Sequence, residues 1–400
     1  MKKFLIIFLS VAMFLPLHAQ DGQQWKEPFS FARRHFEIGF DVSPEFSNDL
    51  FGVNDVFKST IDFDINKYDS TVGDDGINAY IGFFGGMFLN IKNLKIGGGL
   101  WDFGFYSGAE GSVRGNLPKS IITLMAKGNY NQPYSAGMIS ASGSVSAEAG
   151  IRGSAKYGKL RIGVNPGVFA PLIYMPKSGI NYVFNTEEDQ ISLTASGYIS
   201  VYSPFMDNGE LKFGSDLSVE GEYALFSFLD LGGIVSHIPL APAKLKNRMK
   251  LTLTDVNYVI TGQDLIDGTT PDFPDIDFNE EYDTAEKKFV RPLRFDVYAR
   301  LKPFGSELLV LKPNIGFTAD ISEDETFFNM GIEAKLNLIS LFIPYVSINR
   351  EDGIWKNRLG FAFNLRAFEL DLEAALQSQT FKESFAMKGF SVGLGLRLGW

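Results

Sequence analysis

The chain is expected to fold as an all-β protein, a transmembrane antiparallel β-barrel of about fourteen strands with short periplasmic turns and long external loops. Three observations lead there. The last segment alternates Phe390, Val392, Leu394, Leu396, Leu398 and Trp400 with Ser391, Gly393, Gly395, Arg397 and Gly399, so one face meets an apolar medium and the other a crowded or wet interior. That alternation runs onto a terminal aromatic residue, as barrel strands with interfacial rings do. At the other end, Lys2 and Lys3, an apolar run from Phe4 to Leu17, and His18-Ala19-Gln20 form the parts of a secretory signal, with cleavage expected after Ala19. Together these place the mature chain in the bacterial outer membrane.

The expected organisation is a signal peptide over 1–19, a short periplasmic or plug segment over 20–34, and a barrel over 35–400. The apolar run near the N-terminus is too short to span a bilayer, and no other window of about 18 consecutive apolar residues follows, so no transmembrane helix is expected. Cysteine is absent from all 400 residues, which removes disulfides, thiolate metal sites, a lipoprotein anchor and cysteine nucleophiles together. A net charge of −10 with no basic stripe argues against nucleic acid as a partner.

In chain order, period-two alternation predicts strands over Phe36–Ser43, Ile77–Leu89, Leu94–Phe105, Ile139–Tyr157 and Leu160–Leu172. Phe213 to Leu225 and a strand reaching His237 form a hairpin about Phe226–Leu229. Later strands run from Leu293 to Leu301, Leu308 to Ile321, Met330 to Leu338, Leu341 to Arg350, Leu359 to Ala367 and Leu370 to Leu376. Turns are expected at Asn90–Asn93, Tyr157–Lys159, Pro303–Ser306, Ile339-Ser340 and Phe368-Glu369. These short turns go to the periplasm and Pro44–Gly76, Tyr106–Met138, Ile173–Gly209 and Pro239–Val290 go outside. Phe226, Phe228, Phe304, Phe368 and Trp400 then fall at the periplasmic girdle. Ile180–Phe184 and Ile191–Ser203 resemble a further hairpin, which would raise the count to sixteen if it joined the wall. Pro118, an apolar face of Ile121, Leu124 and Met125, and Gly128 predict a short helix on the rim, or a lid over the lumen.

Several motifs carry less than their pattern suggests. Gly153 to Leu160 mimics a phosphate-binding loop, but Leu160 stands where Ser or Thr must hold magnesium and strands flank it, so it reads as a turn. The mature chain has two histidines, His35 and His237; only His237 lies toward the external rim where a barrel hydrolase needs its base, and a lone polar residue capping a strand is the plainer reading. Asp275, Asp277, Asn279, Glu281, Asp283 and Glu286 occupy the offsets of an EF-hand calcium loop. Glu280, however, stands where that loop needs glycine, and no helices flank it. The plainer reading is an acidic, solvated external loop, and calcium there is the only cofactor for which the chain offers a candidate.

If the apolar residues face lipid, Lys212, Asp216, Glu220, Glu222, Arg294, Asp296, Arg300, Glu333, Lys335, Arg366, Glu369, Asp371, Glu373 and Arg397 point inward. Charges of both signs there suggest ion pairs that hold a plug or constriction, or an electrostatic filter in a wet pore. Cross-strand opposite charges contribute about 0.2 to 1 kcal/mol each, so neutralising Glu369, Asp371 and Glu373 beside Arg366 and Arg397 is expected to spare folding and alter permeation.

Arg33 to Asp41, Lys58 to Lys67, Tyr106 to Gly111 and the Gly389 to Trp400 strand resemble spirochaete and Bacteroidetes outer-membrane barrels related to the FadL-type long-chain fatty acid transporters. That resemblance implies fourteen strands, an N-terminal hatch in the lumen, and uptake of lipids or other hydrophobic compounds through a lateral opening. Gln20 to Arg34 is too short for a full hatch and lacks its Asn-Pro-Ala signature, so a plug is expected from Pro44–Gly76 or the Leu117–Asn129 helix. The expectation is a non-enzymatic channel or transporter for hydrophobic or small amphipathic solutes; the alternative is a surface-exposed adhesin or structural barrel acting through its external loops. Outer-membrane lipid, the barrel-assembly machinery at the C-terminal strand, and a hydrophobic solute are the partners this implies.

Overall fold

The computed structural model describes residues 34–49, 69–70, 72–74, 76–127, 134–187, 189–206, 209–267, 277–337, 339, 341–365 and 367–400; the signal peptide, residues 20–33 and the Lys58–Lys67 stretch lie outside them. In chain order the elements are β1 (Phe36–Asn48), β2 (Ile77–Ile96), β3 (Gly99–Leu117), α1 (Lys119–Lys127), β4 (Tyr134–Tyr157), β5 (Leu160–Thr186), β6 (Gln190–Tyr202), β7 (Gly214–Phe226), β8 (Leu229–Ala241), β9 (Ala243–Leu245), β10 (Arg248–Thr261), α2 (Gly262–Asp267), β11 (Phe278–Asp283), β12 (Lys287–Phe289), β13 (Leu293–Leu301), β14 (Leu309–Asp320), β15 (Glu325–Leu336), β16 (Phe342–Glu351), β17 (Ile354–Asn364), β18 (Phe368–Ser378), α3 (Phe381–Ser384) and β19 (Gly389–Gly399).

Fourteen of these strands, β1 to β5, β7, β8 and β13 to β19, close into an antiparallel barrel. Closure is made by β1, which pairs with β2 on one side and with β19 on the other, in a register that sets Ile38 against Leu398 and Phe40 against Leu396. Outward residues such as Ile38, Val392, Leu398 and Leu359 are exposed, while Arg397 and Glu369 between them are buried in the interior. That inversion, oily outside and charged inside, suits a wall immersed in lipid, where a closed ring also leaves no strand edge unpaired. No helix among the described residues is long and apolar enough to cross a membrane. Gly399 illustrates the close inner packing: a Cβ there would lie 2.3 Å from the Phe36 carbonyl oxygen and 2.9 Å from Arg34 Cδ. Deleting Phe390–Trp400 removes the strand that seals the ring and bares the edges of β1 and β18. We expect loss of the heat-resistant, fast-migrating folded form on gels and loss of outer-membrane residence.

The periplasmic turns follow the expected pattern with two displacements. The β2–β3 turn lies at Gly97-Gly98 rather than Asn90–Asn93, because a bulge between Ile91 and Leu94 breaks the alternation while the strand continues. Asn93 takes the left-handed conformation there (φ 58°), and its N–H donates to Asp102 Oδ1 at 2.8 Å. The last periplasmic connection lies between Asn364 and Phe368, so Phe368 already belongs to β18. Phe226 stacks on Phe228 at 5.3 Å and Trp400 lies 4.7 Å from Phe36, forming the aromatic rim at this end. Gly153–Leu160 is strand, turn and strand, with Gly158 at φ +58°.

On the external side the strands run further than alternation alone indicated, which shortens the loops. The Ile180–Phe184 and Ile191–Ser203 hairpin does not enter the wall. β5 continues outward past its barrel neighbour β7 and there pairs with β6, which pairs with β10, which pairs with β11. The result is an external extension of the same sheet, joined to the wall through β5 but outside the ring, and the wall count stays at fourteen. α1 sits on the rim, but its buried residues are Ile122 and Thr123, with Met125 exposed. Ile122 packs on Val72 and Ile77, which turns the helix about one residue from the expected face.

α1 is also held by Asp69, which accepts from Thr123 Oγ1 at 2.6 Å and pairs with Lys127 Nζ at 2.5 Å. Those hydrogen bonds hold the Asp69 carboxyl below its ordinary 3.8. A depressed carboxylate contributes stability above its unfolded value and loses it as pH falls through the folded one. Docking of α1 should therefore be constant from neutral pH down to about pH 4 and loosen only below 3.8. Lys127 is solvent-exposed, so the effect should be at most about 1 kcal/mol. Amide exchange in α1 at pH 3 and pH 7, corrected for intrinsic rates, measures it.

Candidate functional site

The inward face of the barrel is crossed by side chains that join distant strands. At the periplasmic end, Arg34, immediately before β1, is buried in the lumen; it lies 3.7 Å from Glu37 and 3.5 Å from Glu369, and donates to Asn364 Oδ1 at 3.2 Å. Glu369 also receives Arg397 at 2.6 Å, and Glu37 receives Lys92 at 2.8 Å. One layer outward, Tyr345 Oη lies 2.9 Å from Asp371 and 3.0 Å from Glu373, while Arg358 lies 3.4 Å from Glu373. Near the outer end, Lys356 of β17 pairs with Glu45 of β1 at 3.0 Å, and Lys177 of β5 with Glu325 of β15 at 2.6 Å.

These contacts revise the expected cost of neutralising the acidic ladder. Glu369 is 1% exposed and Arg397 is 4% exposed, so removing the carboxylate takes the nearer partner from two buried cations and leaves Arg34 with Glu37 and Arg397 with Asp41, each at 3.7 Å, a change of up to about 3–5 kcal/mol rather than the cross-strand value. Folding would not be spared.

The other inward candidates are also placed. Arg294 pairs with Asp352 at 2.8 Å, Arg300 with Glu307 at 2.8 Å, and Lys335 with Glu333 at 3.2 Å; Asp296 is half-buried beside Gly316. Glu222 accepts from Tyr298 Oη at 3.1 Å. Lys212 precedes β7 and pairs locally with Glu210, outside the wall. Arg366 lies outside the described residues.

Sequence reasoning did not find the most connected side chain, Arg291. It stands just before β13, is 2% exposed, and reaches across the lumen to Asp216 of β7 (2.8 and 3.0 Å), Glu148 of β4 and Glu110 of β3 (3.3 Å). Its guanidinium also lies 5.4 Å from the Phe169 ring centroid. The planar fork of an arginine suits simultaneous binding of several carboxylates.

Arg291 ends a segment that is neither wall nor surface loop. β9 and β12, the two ends of the long connection between β8 and β13, pair with each other and lie against the inner faces of β5 and β7. Ala243, Leu245 and Phe289 form a buried cluster there with Phe169, Tyr174 and Tyr202. Phe289 sits 4.9 Å from Tyr174 and 6.0 Å from Phe169. Beyond the end of the β13–β14 ladder, Ser322 Oγ accepts from Val290 N–H and donates to Val290 O, both at 3.1 Å, and Lys287 Nζ donates to Ser322 O at 3.2 Å. Among the described residues this inward strap, rather than the α1 helix, enters the outer lumen; residues 20–33 and 50–68, which hold the N-terminal segment and most of the Pro44–Gly76 plug candidate, lie outside them.

Beneath the strap lies a cavity of about 70 Å³, open on one side, lined by Tyr80, Phe84 and Phe289 and by the charged Arg291, Arg294 and Asp352. Neighbouring spaces share Arg114 and Asp352 and continue it toward Lys177 and Glu325. Arg114 donates to the Asp352 carbonyl at 3.0 Å and covers the Phe327 ring at 4.3 Å.

The calcium candidates are placed differently from a loop. Asn279, Glu281 and Asp283 share one face of the exposed strand β11, where Asp283 bonds Arg248, Glu281 lies 3.7 Å from Lys250, and Asn279 donates to Thr254. Glu286 lies 4.0 Å from Lys246; Asp277 precedes the strand, and Asp275 lies outside the described residues. Among the described residues no group of three or more His, Cys, Asp or Glu is placed to hold a metal.

A closed antiparallel ring with a lipid-facing apolar belt, an ion-paired interior and an inward strap makes this an outer-membrane β-barrel whose lumen is partly closed from outside. Among solved structures, the chain is similar to the Pseudomonas putida toluene transporter TodX (9% identity, 96% of this chain and 93% of that one, TM-score 0.45), the Ralstonia pickettii toluene transporter TbuX (8%, 92% and 89%, 0.45) and a Pseudomonas aeruginosa FadL homologue (8%, 91% and 90%, 0.46). No family model and no curated protein matches the chain.

Proposed function

We propose that this barrel is a channel or transporter for hydrophobic or small amphipathic solutes, with the β9–β12 strap as its external gate. The observation that carries the reading is the strap itself: a separable element folded into the lumen, resting on an aromatic-lined chamber and held by one arginine among three carboxylates. A sealed display barrel has no need of such an element. The chamber combines rings with fixed charges of both signs, which suits molecules with an apolar body and a polar end.

The reading is non-enzymatic. Ser146 and His237 line the same cavity but share no hydrogen bond, so no nucleophile and base are paired there, and the His237 Nδ1 is engaged by the Pro292 carbonyl oxygen at 3.1 Å rather than by a carboxylate. Lipid around the apolar belt and the assembly machinery at β19 complete the proposed partners.

Planar-bilayer conductance and uptake of labelled fatty acid into liposomes test the reading with the full mature chain. Uptake above that of protein-free vesicles is expected. Silence in both assays from protein that retains its heat-modifiable fold would move the function to the external sheet and loops.

A further inference from the structure

Arg114 is a lumenal cation that the protein leaves without an anion. It stands on β3 directly opposite Tyr80 of β2, so the two side chains share the inward face. From there the guanidinium crosses to β15, which lies opposite β3 in the ring of fourteen, and covers the Phe327 ring at 4.3 Å; the Tyr80 centroid is 5.6 Å away. Nη2 donates to the Asp352 carbonyl at 3.0 Å, in the β16–β17 turn where Asp352 takes the left-handed conformation with φ 51°.

The cations around it are matched. Arg291 has three carboxylates, Arg294 has Asp352 at 2.8 Å, and Lys177 has Glu325 at 2.6 Å. Among the described residues no carboxylate lies within ion-pair distance of Arg114, and the bond to Asp352 O uses one of its five N–H donors. The residue is half-buried and none of its unbonded nitrogens is fully enclosed, so those donors remain open to a solute.

The space they border has a volume of about 210 Å³ and is lined on its apolar side by Tyr80, Phe327 and Ile354. Its charged lining is Arg114, Lys177, Glu325 and Asp352. Lys177 offsets Glu325, and Arg294 offsets Asp352 from outside, which leaves one positive charge at Arg114. The planar fork of an arginine takes both oxygens of a carboxylate side by side. A cavity of about 150 Å³ encloses a benzene molecule, so this space is the size of one ring with a short substituent. A neutral hydrocarbon would fill it and leave the charge unmatched.

Resting on the channel reading, we propose that this space selects single-ring aromatic carboxylates, with the carboxylate on Arg114 and the ring against Tyr80, Phe327 and Ile354. The test uses 4-fluorobenzoate and 4-fluorobenzamide, which share a shape and differ in charge, titrated against the full mature chain in a neutral detergent and followed by ¹⁹F NMR. The benzoate should bind at least tenfold more tightly, the size expected of a charge-assisted hydrogen bond. Arg114→Gln should bring the two affinities within about twofold of each other and leave that of the amide unchanged. It removes an unmatched cation and orphans no carboxylate, so the heat-resistant form should persist on gels. Arg114→Lys keeps the charge without the fork and should cut the ratio at least threefold; it decides the matter if Arg114→Gln does not fold. Equal affinity for both probes, or a ratio unmoved in the folded variants, would overturn the proposal and leave a hydrated arginine in its place, while fatty acid uptake still upholds the channel. Binding of neither probe also overturns it, and uptake again reports separately on the channel.

Discussion

Replacing Arg291 with glutamine should open the lumen and weaken the barrel together. The guanidinium is the common partner of Glu110, Glu148 and Asp216, on three wall strands, and it terminates the strap that carries Phe289 into the aromatic cluster. Removing it leaves carboxylates buried without a cation, a loss of about 3–5 kcal/mol. It also releases the strap's inner end, leaving Ser322 and the ring contacts to hold it. We expect single-channel conductance and liposome uptake to rise several-fold, and the folded form to convert to the unfolded one at a lower temperature on gels. Adding Glu148→Gln should recover part of the stability, because one uncompensated charge is removed with its partner, yet leave the conductance high. A variant with wild-type conductance and a lowered transition would mean that Arg291 supports the wall and has no part in closure.

The second large effect is expected at the opposite end. Glu369 joins Arg34 and Arg397 where β1, β18 and β19 meet, so it supports the seam at which the ring closes. Glu369→Gln should lower heat resistance by a similar amount, up to about 3–5 kcal/mol, with most loss appearing as poor assembly. Asp371→Asn should cost less: Tyr345 Oη can still donate to an amide oxygen, and Glu373 remains beside it. If Glu369→Gln assembles and resists heat like the wild type, the seam is held by its strand pairing alone.

These two sites differ in how far they could be read without coordinates. Glu369 and Arg397 belong to strands with unbroken alternation, so their inward direction follows from parity, and with it the ring of fourteen and its orientation. Arg34 and the depth of burial did not follow, since parity gives direction but not partners. Arg291 was hidden for a different reason. Its carboxylates lie 75 to 181 positions away in sequence, and the strap strands are three residues each, below the length at which a period-two pattern can be recognised. The bulge at Lys92-Asn93 moved the β2–β3 turn, because one extra residue reverses the facing of everything beyond it. At β11, the acidic spacing falls on a strand rather than a loop, where Asp283 and Glu281 face Arg248 and Lys250 of β10.

The strap as gate is the central claim, and the chain's lack of cysteine makes it directly testable. Val290 and Ser322 exchange two hydrogen bonds at 3.1 Å where the β13–β14 register runs on past Leu293, close enough for a disulfide between Val290→Cys and Ser322→Cys to tie the strap to the β14–β15 turn. The measurement is uptake of labelled fatty acid into liposomes carrying this double variant, before and after reduction. The account predicts near-background uptake when oxidised and recovery to the wild-type rate on adding reductant. Uptake at the wild-type rate with the cross-link shown intact would contradict it, since solute would then be passing without the strap moving.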